Sequence, residues 1–244
     1  MIKTTDVTAI GNAIVDVVTT ADEDFLTDHG IEKGAMTLIN AEQLQSLLPK
    51  THEAKIISGG SAANTIVAIS MLGGSGAYIG KVKNDAAGNA FKRDLKDLGV
   101  SYTTASNSSG PATAQCLVFV TEDAQRSMAT YLGACVSLEP SDIDAKMIEA
   151  SKVIYLEGYL WDPPKAKEAI KKAIKLAHST NCKVALSLSD AFCVNRYRSE
   201  FLDLVSNQVD ILFANESEII SLYQVGNING ALDAIPDNGS IAAI

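Results

Sequence analysis

Residues 58–88, SGGSAANTIVAISMLGGSGAYIGKVKNDAAG, decide the predicted fold of this chain. The apolar residues 56–57 end a short strand, and Gly59-Gly60 then permit backbone angles and close approaches that a Cβ would block. An amphipathic run follows and stops at Gly73-Gly74, as helices commonly do at glycine. The order strand, glycine turn, helix and strand therefore predicts a binding turn, because unpaired amides at a helix N-terminus suit oxygen-rich or anionic ligands.

The glycine pattern has a second explanation. It is not the dinucleotide fingerprint G-x-G-x-x-G, and it lacks the Lys-Ser/Thr pair of a P-loop. Taken by itself, GG-x-x-x-N is better explained as a tight turn that only lets a helix pack on a sheet. The rest of the chain has to decide between packing and binding.

Composition indicates a globular protein that acts on something small. The 244 residues are 47% hydrophobic, which is ample for a sizeable core. Twenty Lys and Arg stand against 29 Asp and Glu, a net charge of −9 without any basic cluster. Nucleic acid polymers and membranes are therefore not expected as partners.

Cysteine usage and the N-terminus predict a cytoplasmic location. The chain has four cysteines without C-x-x-C spacing, which suits reduced thiols better than disulfides or a zinc site: Cys116, Cys135, Cys182 and Cys193. No basic segment followed by an apolar core begins the chain, and no apolar run approaches about 18 residues.

Short apolar runs alternate with helical patterns, which predicts an α/β fold with parallel strands joined by crossover helices. Three runs are plain, at residues 153–160, 183–190 and 209–215. The first precedes a predicted helix that starts near residues 162–164 and carries one apolar face: Ala166, Ile170, Ala173, Ile174 and Ala177. Each run ends in polar groups, among them Glu157, and ligands of open parallel sheets bind at that edge.

Two segments break this alternation. Residues 14–40 and 101–132 hold β-rich runs around turn residues, which predicts antiparallel ribbon forming a small β lid on a single domain of residues 1–244. Residues 240–244, SIAAI, resemble the start of another buried strand. Because a sheet protein seldom stops inside a strand, the chain is predicted to be incomplete at its C-terminus; a strand that closes the sheet edge is the alternative.

Four ordered motifs resemble the ribokinase (PfkB) family of carbohydrate and nucleoside kinases, and within it the adenosine-kinase-like branch. GNAIVD at 11–16 is similar to the family's first strand and substrate turn. GGSAAN at 59–64, continued by GKVKNDAAG at 80–88, resembles its first signature. QRSMATYLGA at 125–134 is similar to its lid segment, and ANESE at 214–218 to its N-x-x-E motif. The resemblance implies a three-layer sandwich with a mostly parallel central sheet and a small β lid.

The resemblance also implies site residues. Asn12 and Asp16 would hold substrate hydroxyls, although by itself Asp16 reads equally well as a turn carboxylate. The glycine turn would let the substrate approach the backbone, with polar contacts from the helix start: Gly59, Gly60, Ser61 and Asn64.

The phosphate end is implied by three further residues. Arg126 would face the transferred phosphate, since its planar fork bridges two oxygens. Asn215 and Glu218 would organise ATP and Mg²⁺, with Glu218 acting through water. Without the resemblance, Arg126 reads as a solvated turn residue and Glu218 as a first-turn helix glutamate.

Departures from the family pattern qualify the activity. Ile66 and Lys83 replace a small residue and a glycine of the sugar-kinase version, which disfavours a simple sugar as substrate. The second signature, D-T-x-G-A-G-D with the catalytic base, is absent from the 244 residues and is expected beyond Ile244.

The predicted function is therefore transfer of the γ-phosphate of ATP to a hydroxymethyl group of a nucleoside or sugar, by a chain that lacks its base. A non-catalytic sugar- or nucleoside-binding module, or an inactive fragment, is the alternative. A homodimer is left open, because lids of this kind pair between subunits in some cases and not in others.

Overall fold

The computed structural model describes residues 3–237 and 239–244. The strands are β1 (Thr5–Ile10), β2 (Ile14–Thr20), β3 (Met36–Leu38), β4 (Lys55–Gly59), β5 (Gly76–Ile79), β6 (Ser101–Tyr102), β7 (Ala114–Val120), β8 (Arg126–Tyr131), β9 (Ser151–Glu157), β10 (Lys183–Ser187), β11 (Ile211–Phe213) and β12 (Ile241–Ala243). The α-helices are α1 (Glu23–Asp28), α2 (Ala41–Leu47), α3 (Ser61–Met71), α4 (Ala86–Asp97), α5 (Ala145–Ala150), α6 (Pro164–Ser179), α7 (Ala191–Arg196), α8 (Arg198–Asn207), α9 (Glu216–Tyr223) and α10 (Ile228–Ala234).

The larger sheet has the strand order β12-β11-β10-β9-β1-β5-β6, and every pairing in it is parallel. The predicted α/β class is thereby confirmed. The three apolar runs supply β9, β10 and β11. The first strand ends at Glu157, earlier than predicted, because a 3₁₀ turn at Gly158–Trp161 takes over the rest of that run.

Helices cover both faces of this sheet and make three layers. Neighbouring residues of β1 point to opposite faces, so that Ile10 joins the core under α6 while Ala9 joins the core under α3 and α4. The predicted face of α6 is confirmed, since all five of its apolar residues are buried: Ala166, Ile170, Ala173, Ile174 and Ala177. Parallel strands need such cover on both faces.

The second sheet has the order β3-β8-β7-β2-β4 and is mixed. The pairs β2–β4 and β7–β8 are antiparallel, whereas β2–β7 and β3–β8 are parallel. A purely antiparallel ribbon was therefore the wrong expectation. Strand β4 lies in this sheet although it falls outside the predicted segments, and β6 lies in the larger sheet although it falls inside them.

One face of the second sheet packs against α1 and α2. Val17, Leu117 and Phe119 form this small core with Leu26 and Leu44 from the helices. Because side chains alternate along a strand, Asp16 points to the opposite face, which these helices do not cover.

The last strand differs from its prediction in burial. Residues 241–243 form β12 and pair in parallel with β11, but Ile241 is 64% exposed. A strand is confirmed there, and the expectation that it is buried is wrong.

The four cysteines are buried and unpaired in the described part of the chain, in keeping with reduced thiols. Among residues 3–237 and 239–244, none of the helices combines the length and apolar character needed to cross a membrane.

Candidate functional site

The glycine turn before α3 has the backbone that the sequence predicts. Gly60 has φ +92°, a conformation that favours glycine. A Cβ on Gly60 would stand 2.5 Å from the carbonyl oxygen of Asn12. The amide of Asn64 donates to the carbonyl of Gly60 at 2.9 Å and so begins the helix. Glycine is therefore required here for the turn after β1 and the start of α3 to touch.

The carboxylate of Asp16 lies directly over Gly59. A Cβ on Gly59 would overlap Cγ and both carboxyl oxygens of Asp16. Burial raises the pKa of Asp16 from 3.8 to about 6. Within the described ranges no protein donor hydrogen-bonds this carboxylate. Asp16 is partly buried and has no protein partner, so its carboxylate oxygens are available to a ligand.

Asn12 is a second acceptor in the same place. Asn12 is 8% exposed as a residue, and its Oδ1 is buried without a hydrogen-bond partner. Buried side-chain oxygens in native proteins normally have a partner. Asn12 and Asp16 together therefore present oxygen acceptors that suit the hydroxyl donors of a ligand.

Glu157 holds this arrangement together and was not predicted as a site residue. The side chain is buried at the end of β9. Its carboxylate accepts hydrogen bonds from the amides of Asn12 and Ala62, each at 2.9 Å, and from the hydroxyl of Ser61. Burial raises the pKa of Glu157, although these three donors act against it. The signal in the sequence was a single carboxylate that ends an otherwise apolar strand.

The structure brings most of the predicted substrate residues together. Ser61 enters the site through its bond to Glu157, whereas the side chain of Asn64 is exposed on the first turn of α3. The residues that meet around the turn are Asn12, Asp16, Gly59, Gly60 and Ser61.

Gly59→Ala is expected to lower the free energy of unfolding by about 1–3 kcal/mol, because the added methyl displaces the Asp16 carboxylate. In an Asp16→Ala background the overlapping atoms are gone, so the same substitution should cost far less. Gly226→Ala is the matched control, since no atom lies within 4 Å of a Cβ there and its φ is not positive. Urea unfolding of the four variants measures the coupling. Equal losses in both backgrounds would contradict the overlap.

Arg126 is not placed beside Asp16. It is the exposed first residue of β8 and pairs with Val120. Across the second sheet Asp16 is paired with Cys116 of β7, and Cys116 is paired with Thr130 of β8. Thr130 lies four residues after Arg126 along β8. At about 3.3 Å per residue the separation along the strand is about 13 Å. The phosphate role of Arg126 stays a prediction.

Asn215 and Glu218 form a capping box at the start of α9. Asn215 Oδ1 accepts from the amide of Glu218 at 2.9 Å, and Glu218 Oε2 accepts from the amide of Asn215 at 3.0 Å. Asn215 Nδ2 also donates to Glu218 Oε1 at 2.9 Å. A carboxylate has about four acceptor positions, so Glu218 retains capacity for a bound water. Burial raises the pKa of Glu218, and Asp190 adds to this.

Beside this capping box lies an open groove of about 780 Å³. Its lining includes the polar side chains of Asn195, Asn215, Ser217 and Ser221. These amides and hydroxyls can donate hydrogen bonds to a phosphate-bearing ligand. The roles of Asn215 and Glu218 toward ATP and Mg²⁺ stay predictions.

Ile66 and Lys83 lie outside the site. Ile66 is fully buried and packs against Gly76. Lys83 Nζ donates to the carbonyl of Gly110 at 2.7 Å. Because neither side chain reaches the Asp16 turn, these two departures carry no argument about the substrate.

Comparison with known proteins identifies the family of this chain. The model of a family described as pfkB family carbohydrate kinase matches residues 5–242. The structure of adenosine kinase from Sinorhizobium meliloti is 49% identical, with a TM-score of 0.86 over 93% of this chain and 70% of that one. A probable sugar kinase from Rhizobium etli CFN 42 is 47% identical, with a TM-score of 0.91 over 100% of this chain and 74% of that one.

Curated relatives are more distant. Probable fructokinase-6 of Arabidopsis thaliana is 30% identical over 67% of this chain and 44% of its own length. Adenosine kinase of Saccharomyces cerevisiae is 26% identical over 95% of this chain and 71% of its own length. The chain thus spans from under half to about seven tenths of these two relatives.

Proposed function

The chain belongs to the pfkB family of carbohydrate kinases. From this membership we propose that it binds the acceptor of an ATP-dependent phosphotransferase, and that this acceptor is a nucleoside resembling adenosine. The γ-phosphate of ATP would be transferred to the hydroxymethyl group of that nucleoside. Adenosine kinases and sugar kinases are both among the similar proteins, so the site itself has to support one acceptor over the other.

The observation that carries the proposal is the unpartnered pair of acceptors at Asn12 and Asp16. The vicinal hydroxyls of a ribose are donors that match a carboxylate and an amide oxygen. A site built in this way rejects a compound that lacks the hydroxyls, because its own buried polar groups would remain unpaired.

The face of the second sheet around Asp16 supports a nucleoside over a free sugar. A row of paired residues crosses the sheet on this face, from Asp16 through Cys116 and Thr130 to Leu38 on β3. The next row is apolar on four strands, with Val18, Val118, Met128 and Met36, and has Lys55 at its β4 end. Leu38 is 59% exposed and Met36 is 44% exposed. A flat heterocyclic base would cover these side chains, whereas a free sugar would leave them in water.

The residues of this chain would act by binding and positioning. Asn12 and Asp16 would fix the ribose, so that its hydroxymethyl group points along the line of transfer. We propose that the second sheet acts as a lid that excludes water, which competes as acceptor. ATP with Mg²⁺ supplies the phosphoryl group when bound. Asn215 and Glu218 would hold this end, and Arg126 would contact the phosphate. The base that accepts the hydroxyl proton is not among these residues.

Calorimetric titration of the 244-residue chain with adenosine, ribose and fructose tests this acceptor. Adenosine is expected to bind, and Leu38→Ser is expected to weaken it at least about tenfold, since one apolar contact is worth roughly that much. Leu72→Ser is the matched control, because Leu72 is 89% exposed at the end of α3, away from the second sheet. Ribose or fructose binding as tightly as adenosine would contradict the proposal. ADP release in the presence of ATP separates a kinase from a module that only binds.

A further inference from the structure

Cys116 is the residue beside Asp16 on the neighbouring strand. Strands β2 and β7 pair in parallel with Asp16 opposite Cys116, and β7 pairs with β8 so that Cys116 stands opposite Thr130. Side chains opposite each other in a sheet share a face and lie about 5 Å apart at Cβ. On the other flank Asp16 is paired with Ile57 of β4 and its carboxylate lies over Gly59, and neither of these residues has a side chain that can donate a hydrogen bond. The carboxylate therefore has one side-chain neighbour in position to offer it a hydrogen, and that neighbour is a thiol.

A thiol is a poor donor, and the adjacent hydroxyl is already used. Thr130 Oγ1 donates to Cys116 Sγ at 3.3 Å. Sulfur accepts weakly, and the S–H group donates weakly. No hydrogen bond from Cys116 or Thr130 reaches Asp16. Asp16 thus remains an acceptor without a protein donor. A hydroxyl group in place of the Cys116 thiol would supply one.

We propose that Cys116 is a positioning residue for the ligand: by withholding a hydrogen bond from Asp16, it leaves both carboxylate oxygens free for the hydroxyls of the acceptor. A serine at this position would accept from Thr130, as the sulfur does, and would pass its own hydrogen to Asp16. One ligand hydroxyl would then compete with a fixed protein donor. This inference rests on the proposed function, because it concerns how the same site takes a polyhydroxylated nucleoside.

Other charged groups do not supply the missing partner. Lys55 on β4 shares the face of Asp16 one row away, and Arg126 on β8 lies four residues from Thr130. Asp94 of α4 accepts from the amide of Ser58 instead. Burial is the cause that raises the pKa of Asp16, with no charged neighbour contributing. A donor introduced at position 116 therefore acts on an otherwise uncompensated carboxylate.

Cys116→Ser and Cys116→Ala together test the proposal. The serine variant is expected to lower the pKa of the Asp16 carboxyl group by about one unit, since a hydrogen bond to the charged form favours it. Adenosine affinity at neutral pH should fall about tenfold, as for loss of one polar contact. The alanine variant should leave the pKa of Asp16 unchanged and the affinity for adenosine within about twofold of that of the unsubstituted chain. Serine is closer to cysteine in size than alanine is, so a role in packing alone predicts the reverse order.

Carbon-detected NMR titration of Asp16 in the ligand-free protein and calorimetry with adenosine are the two readouts. Cys182→Ser is the control, because Cys182 is likewise free and buried but precedes β10, away from the second sheet. An unchanged Asp16 pKa in Cys116→Ser, or a larger loss of affinity in Cys116→Ala than in Cys116→Ser, would overturn the inference. Failure of the natural chain to bind adenosine would count against the proposed function, while the NMR titration would still decide on Cys116.

Discussion

Asp16→Asn is expected to stabilise the ligand-free protein while weakening nucleoside binding at least about a hundredfold, as loss of a charged acceptor does. Asparagine keeps the shape over Gly59 but has one acceptor oxygen and no charge. Burial raises the pKa of Asp16 from 3.8 to about 6, so ionisation opposes folding at neutral pH. At about 1.4 kcal/mol per pKa unit, and allowing for its partial exposure, we expect a gain of about 1–3 kcal/mol.

The gain should depend on pH in a defined way. Because the pKa of Asp16 is higher in the folded than in the unfolded chain, its penalty is fully present above about pH 6 and is gone below pH 3.8. Urea unfolding at a series of pH values should therefore show the two chains converging as the pH falls. Equal stability of both at neutral pH would contradict the prediction.

Asp6→Asn provides a control of opposite sign. The Lys152 ammonium and the donors of Ser75 hold the pKa of Asp6 well below its usual range. Its carboxylate therefore favours the folded state at neutral pH, and this contribution is lost as the pH falls. Asp6→Asn should lower stability at neutral pH where Asp16→Asn raises it.

Glu157→Gln is expected to cost about 1–3 kcal/mol of stability and to reduce adenosine affinity at least about tenfold. The carboxylate faces three donors, from Asn12, Ser61 and Ala62. A glutamine amide turns one acceptor into a donor, so at least one buried N–H or O–H is left without a partner. Glu157→Ala removes all three bonds and leaves a cavity, for which we expect a loss of about 3–5 kcal/mol.

Glu218→Gln is the matched control for this substitution. Glu218 is also buried, at 6% exposure, but it accepts the backbone amide of a capping box, in which glutamine also serves, and otherwise only the side-chain amide of Asn215, an exposed residue whose N–H groups reach water. We expect it to cost about 1 kcal/mol or less. Comparable losses at both positions would show that burial of a glutamate, and not its three donors, explains the effect at Glu157.

Local pattern was enough for the parts of the fold that depend on local chemistry. Continuous apolar runs separated by helical patterns predicted the parallel sheet, since strands buried on both faces need apolar residues throughout. The spacing of apolar residues predicted the buried face of α6, and the paired glycines predicted the turn before α3. Each of these depends on residues within one or two turns of each other along the chain.

The composition of the second sheet could not be derived in this way. Strand β4 and the segment before it match a crossover pattern, yet β4 pairs with β2 about forty residues earlier. Pairing partners and their direction depend on which strands leave the larger sheet side by side. No local periodicity carries that information.

Fold class, the parallel sheet and the turn at Gly59-Gly60 could be predicted from the order of residues along the chain. The folded structure was needed to show that Glu157 joins Asn12 to the start of α3, that Asp16 lies over Gly59 without a donor, and that Arg126 stands apart from both. The physical reason is that a turn or an amphipathic face depends on neighbours in the chain. Burial, hydrogen bonding and the pKa of a carboxylate depend on whichever residues folding brings against it, and Glu157 contacts residues more than ninety positions away.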